Sequence, residues 1–311
     1  MNIKLKLIIL LYCLISSESI FSQEVINEAS NSSIQPSTYF GQIAPGETPK
    51  IFAPEVILKP KQAHSNIVFS KDGNSAYWCH NGIWYSKLKN GEWTSPLMVP
   101  FSKMEFNDDA PFLSPDGKQL FFTSKRPIND SDTSKKENIW VVDLEINGWS
   151  EASPLPPVVN NVFQHWQVSV DLKGNLYLKH RAKQNVDSSS DIYCSKFENG
   201  EYQTPKKLGG TINSLDQESN PFISPDGDLL LFTRIKDGNL VDGGLFISLK
   251  LKNNTWSESI SLQPYLNYKS GGNCPIVTQD GKHLFFLDIY EGKWQRYWVS
   301  AGFVEMLRPE Y

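Results

Sequence analysis

The stretch "PFLSPDGKQLFFTS", Pro111 to Ser124, returns further along the chain as "PFISPDGDLLLFTR", Pro221 to Arg234. Aligned on the turn glycine, five related copies appear: Gly73 in "FSKDGNSAYW", Gly117 in "LSPDGKQLFF", Gly174 in "VDLKGNLYLK", Gly227 in "ISPDGDLLLF" and Gly281 in "VTQDGKHLFF". The glycines are 44, 57, 53 and 54 residues apart. A period of this length, filled with short apolar runs and lacking any 3.6-residue pattern, predicts β-propeller blades and not a helical solenoid. Asp-Gly supplies the positive φ that a tight hairpin requires, so the repeated phrase is read as the first hairpin of a blade.

The remainder of each unit follows one order. Third strands carry Ile83-Trp84, Ile139-Trp140, Ile192-Tyr193, Leu245-Phe246 and Tyr297-Trp298. Four of them are followed by a turn and an aromatic, at Trp93, Trp149, Tyr202 and Trp256, a recurrence expected of packing between blades. The fifth unit stops at "YWVSAGFVEMLRPEY" without a fourth strand, which leaves an edge open to pairing. "PKIFAPEVILKP", Pro49 to Pro60, resembles the fourth strands "GEWTSPLMVP" and "INGWSEASPL" and is expected to fill that edge. The expected fold is all-β, a five-bladed β-propeller of four-stranded blades whose N-terminal strand closes the last blade. Six blades is the alternative.

The hairpins "SPDGKQLFFTS" and "SPDGDLLLFTR", with the weaker "SKDGNSAYW" and "TQDGKHLFF", resemble the TolB-type propeller repeat, a WD-like family of exported bacterial proteins. The resemblance runs from about Ala63 to Tyr311, and the third copy lacks the Pro-Asp-Gly turn. It implies a propeller and bacterial export. It implies no single activity, because the family spans scaffolds, peptidase domains and sugar-active enzymes.

Other features set the surroundings. Lys4 and Lys6, the apolar run Leu7 to Ile15 and the small Ser22 predict a signal peptide over residues 1–22, with a polar linker over 23–37 and the propeller over 38–311. The apolar run is too short to span a bilayer, so a periplasmic or extracellular location is expected. Beyond the leader, Cys79, Cys194 and Cys274 sit in apolar strand patterns without zinc-ligand spacing and are read as buried small hydrophobes, a single disulfide or a reactive thiol being the alternatives. A net charge of −4 without Lys/Arg runs argues against nucleic acid. No nucleophile elbow, P-loop, dinucleotide fingerprint or H-E-x-x-H run occurs, which removes support for the commonest hydrolase and nucleotide classes. A monomer without cofactor is expected.

Strand alternation sorts polar residues between the two ends of the propeller. Asp72, Asp116, Asp226 and Asp280 fall on the rim of the Asp-Gly turns and are read as turn chemistry. The starts of the inner strands, at His64, Asp108, Asp109, His165, Trp166 and Glu218, and the ends of the second strands, at His80, Lys125, His180, Arg181, Arg234 and Asp288, fall on the opposite rim. Longer connections from Lys125, Arg181 and Ile235 join them there. Unlike polar residues and long loops on a rigid frame predict a ligand-binding mouth for a sugar, peptide or protein, although a merely solvated rim has the same composition. The alternative is a carbohydrate-active hydrolase or lyase with Asp108, Glu218, His165 and His180 as catalytic candidates, since such chemistry needs paired carboxyl groups or a proton acceptor beside cations. His64 and His165 with Asp108 or Glu218 have no metal-ligand spacing, and no metal is expected.

Overall fold

The structure, a computed structural model of the chain, describes residues 39–57, 63–161, 166–181, 190–266 and 271–308. Its strands form five antiparallel sheets arranged as a five-bladed β-propeller, with a small extra hairpin at Phe197–Glu198 and Glu201–Tyr202. Blade one runs Ile67–Phe69, Ser75–Cys79, Ile83–Lys89 and Leu97–Met98 from the channel outward. Blade two uses Asp109–Leu113, Gln119–Ser124, Asn138–Glu145 and Ser153–Pro154. Blade three uses Ser169–Val170, Leu176–Arg181, Ser190–Ser195 and Lys206–Lys207, and blade four Gln217–Ile223, Leu229–Lys236, Asn239–Leu249 and Ile260–Ser261. Second strands such as "QLFFTS" are buried almost continuously because both faces of a blade pack against neighbours, so apolar/polar alternation is lost.

Blade five takes Asn273–Val277, His283–Tyr290 and Lys293–Ser300 from the C-terminal region and Lys50–Ile51 from the N-terminal one. The closing strand pairs Lys50 with Trp298 and Ile51 with Tyr297, so it is shorter and earlier than the stretch Pro49 to Pro60 suggested. The chain leaves the ladder at Ala53, φ 40°, and enters a one-turn helix, Pro54–Ile57, that contains Val56. Phe52 secures the junction. It is fully buried, with its ring 4.9 Å from Phe285 and 5.0 Å from Trp298, beside Phe69 of blade one. Burying an aromatic of this kind contributes on the order of 2–3 kcal/mol from area alone.

The turns behave as their chemistry requires. Asp116 accepts from the Ser114 hydroxyl at 2.7 Å and the Lys118 amide at 3.1 Å, and Asp280 accepts from Thr278 and Lys282 in the same way. Hydrogen bonds from Ser70 and the Asn74 amide likewise lower the Asp72 carboxyl. Blade three, which lacks the motif, substitutes Asp171, whose carboxylate takes the Lys173 and Asn175 amides at 2.9 Å each.

Inner strands of blades two, four and five share a kink that the repeat only hints at. Ala110, Asn220 and Cys274, each just before a proline, have φ near +50° at register shifts in the ladder. A bulge there re-aims the residues next to it and frees backbone carbonyls. In blade five, side-chain amides from other blades take up carbonyls at the kink: Asn66 Nδ2 donates to Cys274 O at 2.7 Å and Gln167 Nε2 to Pro275 O at 2.9 Å. The result is a polar belt across the channel.

One connection proved to be a strand. "IKDGNLVDGG" from Ile235 extends the second hairpin of blade four, turning at Asp237-Gly238 with Lys236 paired to Asn239. Gly243 and Gly244 let this arm lie against Arg234 and Gly271, where a Cβ would overlap backbone carbonyls. The three cysteines are buried and free. Among the described residues, no helix is long and apolar enough to cross a membrane.

Candidate functional site

The two ends of the channel differ. On the turn side the inner strands close it with apolar side chains, the Phe112 and Phe222 rings meeting at 6.4 Å and about 30 Å³ of space remaining. On the other side the strand starts open into a pocket of about 350 Å³. That volume lies in the range of small-molecule sites.

The pocket is built from four blades. His64 and Ser65 enter from blade one, Asp109 from blade two, Trp166 and Gln167 from blade three, and Asn273 from blade five, with Glu137 and Trp294 completing the wall. Asp109 stands at the bulge, where its Oδ1 accepts the Ala110 amide at 2.6 Å and its Oδ2 lies 3.8 Å from His64 Nδ1. Trp166, φ 52°, is 45% exposed, large for an indole, and its amide donates to Glu137 Oε1 at 3.0 Å. Asn273 Oδ1 already accepts from Asn220 at 2.7 Å, Thr233 at 3.0 Å and its neighbour's amide. Its side-chain N–H groups make no hydrogen bond among the described residues, which leaves Asn273 as a donor to the pocket.

Cations lie beneath this surface. Lys179, 2% exposed, places its Nζ 4.3 Å from the Trp166 ring, and burial lowers its pKa to about 8, with Arg181 adding repulsion. Arg296 is 1% exposed and donates to the carbonyls of Ser65 at 3.0 Å and Cys79 at 3.1 Å. Burial brings its guanidinium down to about 10 against the attraction of Asp109 nearby, and its Nη1 has no hydrogen-bond partner among the described residues. Burial also pushes the Cys274 thiol up to about 12, which makes it an inert neighbour and not a nucleophile.

Of the residues singled out by sequence, His64, Asp109 and Trp166 meet at this pocket. Asp108 and Glu218 do not line it. Asp108 is fully buried, bound by Arg126, the Ser102 hydroxyl and the Lys103 amide at 2.7 Å. Glu218 is fully buried as well, with Arg234 Nε at 2.8 Å and the Ser214 hydroxyl at 2.7 Å. Each arginine stacks on aromatics of its own blade, Arg126 over Phe122 and Trp140 and Arg234 over Phe246 at 4.3 Å. The acid and its arginine sit at matching ends of the first two strands in blades two and four, so they fasten the connection into each blade. Burial still raises the Glu218 carboxyl, with Ser214 and Arg234 pulling the other way.

The others lie apart. His180 stacks on Tyr193 at 4.5 Å, and burial lowers its pKa. Arg181 follows it, and Asp288 is buried, accepting the amides of Gly272 at 3.3 Å and Ile289 at 2.6 Å. His80 occupies the turn after the second strand of blade one, and Lys125 belongs to a separate loop depression with Phe106 and Asp132. His165 lies outside the described residues, as do the leader and linker of residues 1–37. Among the described residues no group of His, Cys, Asp and Glu side chains suits a metal.

Glu137, Lys179 and Trp294 were not singled out by sequence. Glu137 and Trp294 stand at the starts of third strands, a set of positions that also opens on the mouth. Lys179 interrupts the apolar run "LYLKH", and that break in pattern was its signal.

No protein-family model matches the sequence, and no curated protein is similar to it. Solved structures with a similar chain path include TolB from Acinetobacter baumannii, at 15% identity and TM-score 0.48 over 76% of this chain and 54% of that one, so the chain spans about half of that TolB. An endo-arabinase from Bacteroides thetaiotaomicron is similar at 13% identity and TM-score 0.49, covering 83% of this chain and 96% of that one. A gluconolactonase from Xanthomonas campestris is similar at 11% identity and TM-score 0.46, covering 76% and 71%. Likenesses at this level carry no activity from one chain to the other, and the propeller is read from the five sheets themselves.

Proposed function

We propose that the chain is an exported, monomeric propeller of the TolB type that recognises a glycan at the channel mouth. The observation that carries this reading is the pocket at the mouth, in which an exposed Trp166 and a half-buried Trp294 stand beside Asp109, Glu137, His64 and Asn273. Indole faces match the apolar face of a sugar ring, while carboxylates, imidazole and amide match its hydroxyls. A peptide would instead need an open strand edge or a longer groove. The leader over residues 1–22 and the linker over 23–37 belong to the same proposal. Thermal unfolding in a panel of neutral and acidic oligosaccharides tests it, because a ligand that binds only the folded state raises the melting temperature. One glycan is expected to do so, and Trp166→Ala is expected to weaken it roughly tenfold through lost ring contact. No shift across the panel, or a shift unchanged in Trp166→Ala, rejects the reading.

A hydrolase is the second reading, favoured by one observation: two carboxylates, Asp109 and Glu137, line the same pocket. It predicts turnover of the bound glycan that disappears in Asp109→Asn and Glu137→Gln while binding persists. It also replaces Asp108 and Glu218 as the catalytic pair.

A further inference from the structure

The position that Lys179 holds in blade three belongs to small or apolar residues in the other blades. Pairing with the third strand aligns Lys179, opposite Ile192, with Cys79 opposite Ile83, Thr123 opposite Ile139, Thr233 opposite Leu245 and Leu287 opposite Arg296. All five are buried. In blades two, four and five the inner strand faces this position with Asp109, Ser219 and Asn273. The corresponding residue of blade three is Trp166, so one blade brings a large indole and a long cation to a place where the others have little bulk.

The two side chains meet. Lys179 Nζ lies 4.3 Å from the centre of the Trp166 ring, while Trp166 stays 45% exposed at the pocket. The Trp166 backbone is left-handed, φ 52°, a conformation that a bulky residue keeps only when its surroundings hold it. A hydrogen bond from its amide to Glu137 Oε1 fixes one end, and the ammonium against the ring fixes the other. That ammonium is costly where it stands. Burial is the largest influence on it, Arg181 repels it, Glu137 attracts it from blade two, and Cys274, a neutral thiol at physiological pH, offers no counter-charge. A leucine or methionine would fill the space without the loss of hydration. Departures of this kind, in which stability is forgone at the rim of a pocket, gather at functional sites.

We propose that Lys179 is a positioning residue of the mouth: its ammonium holds the Trp166 indole by a cation–π contact, so that the exposed part of the ring is presented to the ligand. The role rests on the reading of the mouth as a glycan site. A ring held in place before binding loses little freedom when a sugar stacks on it, and preorganisation of that kind appears as affinity. Indole is the best of the aromatic partners for a cation, and the contact gains strength where water is excluded, as at this lysine, 2% exposed. Deprotonation removes the charge and leaves the packing, so the hold on Trp166 is lost as pH rises through about 8.

Fluorine NMR of the protein labelled with 5-fluorotryptophan tests this without any ligand, the Trp166 resonance being the one missing from Trp166→Phe. That resonance is expected to shift with a midpoint near pH 8 in the wild type and to stay constant over the same range in Lys179→Met, which keeps the packing and melts no earlier. Lys118→Met, which changes an exposed lysine on another blade, is expected to keep the wild-type profile. Binding is then titrated at pH 7 and pH 9.5 with cellotriose, chitotriose and trigalacturonate. Affinity for the sugar that binds is expected to fall about fivefold between the two pH values, the size of one cation–π contact, and to be low and independent of pH in Lys179→Met. A Trp166 resonance indifferent to pH, or titrating in Lys179→Met as in the wild type, overturns the proposal, and so does a bound sugar whose affinity ignores both pH and the substitution. If none of the three sugars binds, the glycan reading fails, and the resonance still decides whether Lys179 holds the ring.

Discussion

At the scale of single residues, the same side-chain types do opposite work according to burial. Asp108 and Glu218 end as anchors because each is enclosed with an arginine whose flat face lies on aromatic rings, whereas Asp109, one residue on, faces the pocket. Arg234→Met would leave the Glu218 carboxylate buried without its cation. Removing one partner of such a pair costs about 3–5 kcal/mol, more than exchanging both for apolar residues. Urea denaturation should therefore show Arg234→Met well below the wild type and the double change Glu218→Met/Arg234→Met less impaired than the single one. Lys179 gives a pH signature. With its pKa lowered to about 8 from 10.5, the folded state binds fewer protons than the unfolded one between those values, so its contribution makes stability rise with pH across that window and its penalty is full below it. Lys179→Met should raise stability at pH 7 by on the order of 3 kcal/mol, and the difference between the two proteins should shrink toward zero by pH 11. A constant difference across that range would show that the Lys179 ammonium is not the cause.

At the scale of elements, turns and bulges decide which side chains reach the mouth. The Asp-Gly hairpins were legible because their chemistry is local: a serine or threonine, an aspartate and a glycine satisfy one another within six residues. The bulges at Ala110, Asn220 and Cys274 were not: at Cys274 the carbonyls of the kinked strand are taken up by amides from other blades, Asn66 and Gln167, a partnership that no local pattern announces. The blade-four arm shows the same limit, since its glycines mark an approach to Gly271 that nothing nearby in sequence announces. Two alanine substitutions separate these causes. Gly117→Ala meets open space and should lose only the about 1–2 kcal/mol of a left-handed backbone. Gly244→Ala carries φ +94° and also forces a Cβ into the Gly271 carbonyl, so it should lose clearly more in the same denaturation experiment. Equal losses would mean that the arm moves away freely.

At the scale of the whole molecule, the ring depends on a two-residue latch between distant parts of the chain. Lys50 and Ile51 supply few ladder bonds, and the aromatic cluster around Phe52 provides most of the hold. Phe52→Ala should cost about 3–5 kcal/mol and, by freeing the edge of Lys293–Ser300, should give concentration-dependent aggregates on size exclusion that the wild type lacks. A stable monomeric Phe52→Ala protein would show that the fifth blade holds without its outer strand. From the sequence alone came the number of blades, the identity of the closing segment and the end of the channel that is polar, because repeat period, turn residues and strand alternation are properties of neighbours along the chain. Only the tertiary structure decided that Asp109 and not Asp108 reaches the pocket and that Trp294 and Glu137 stand beside it. Those are distances between residues far apart in sequence, set by how bulged strands and packed blades bring their side chains together, and no local pattern encodes them.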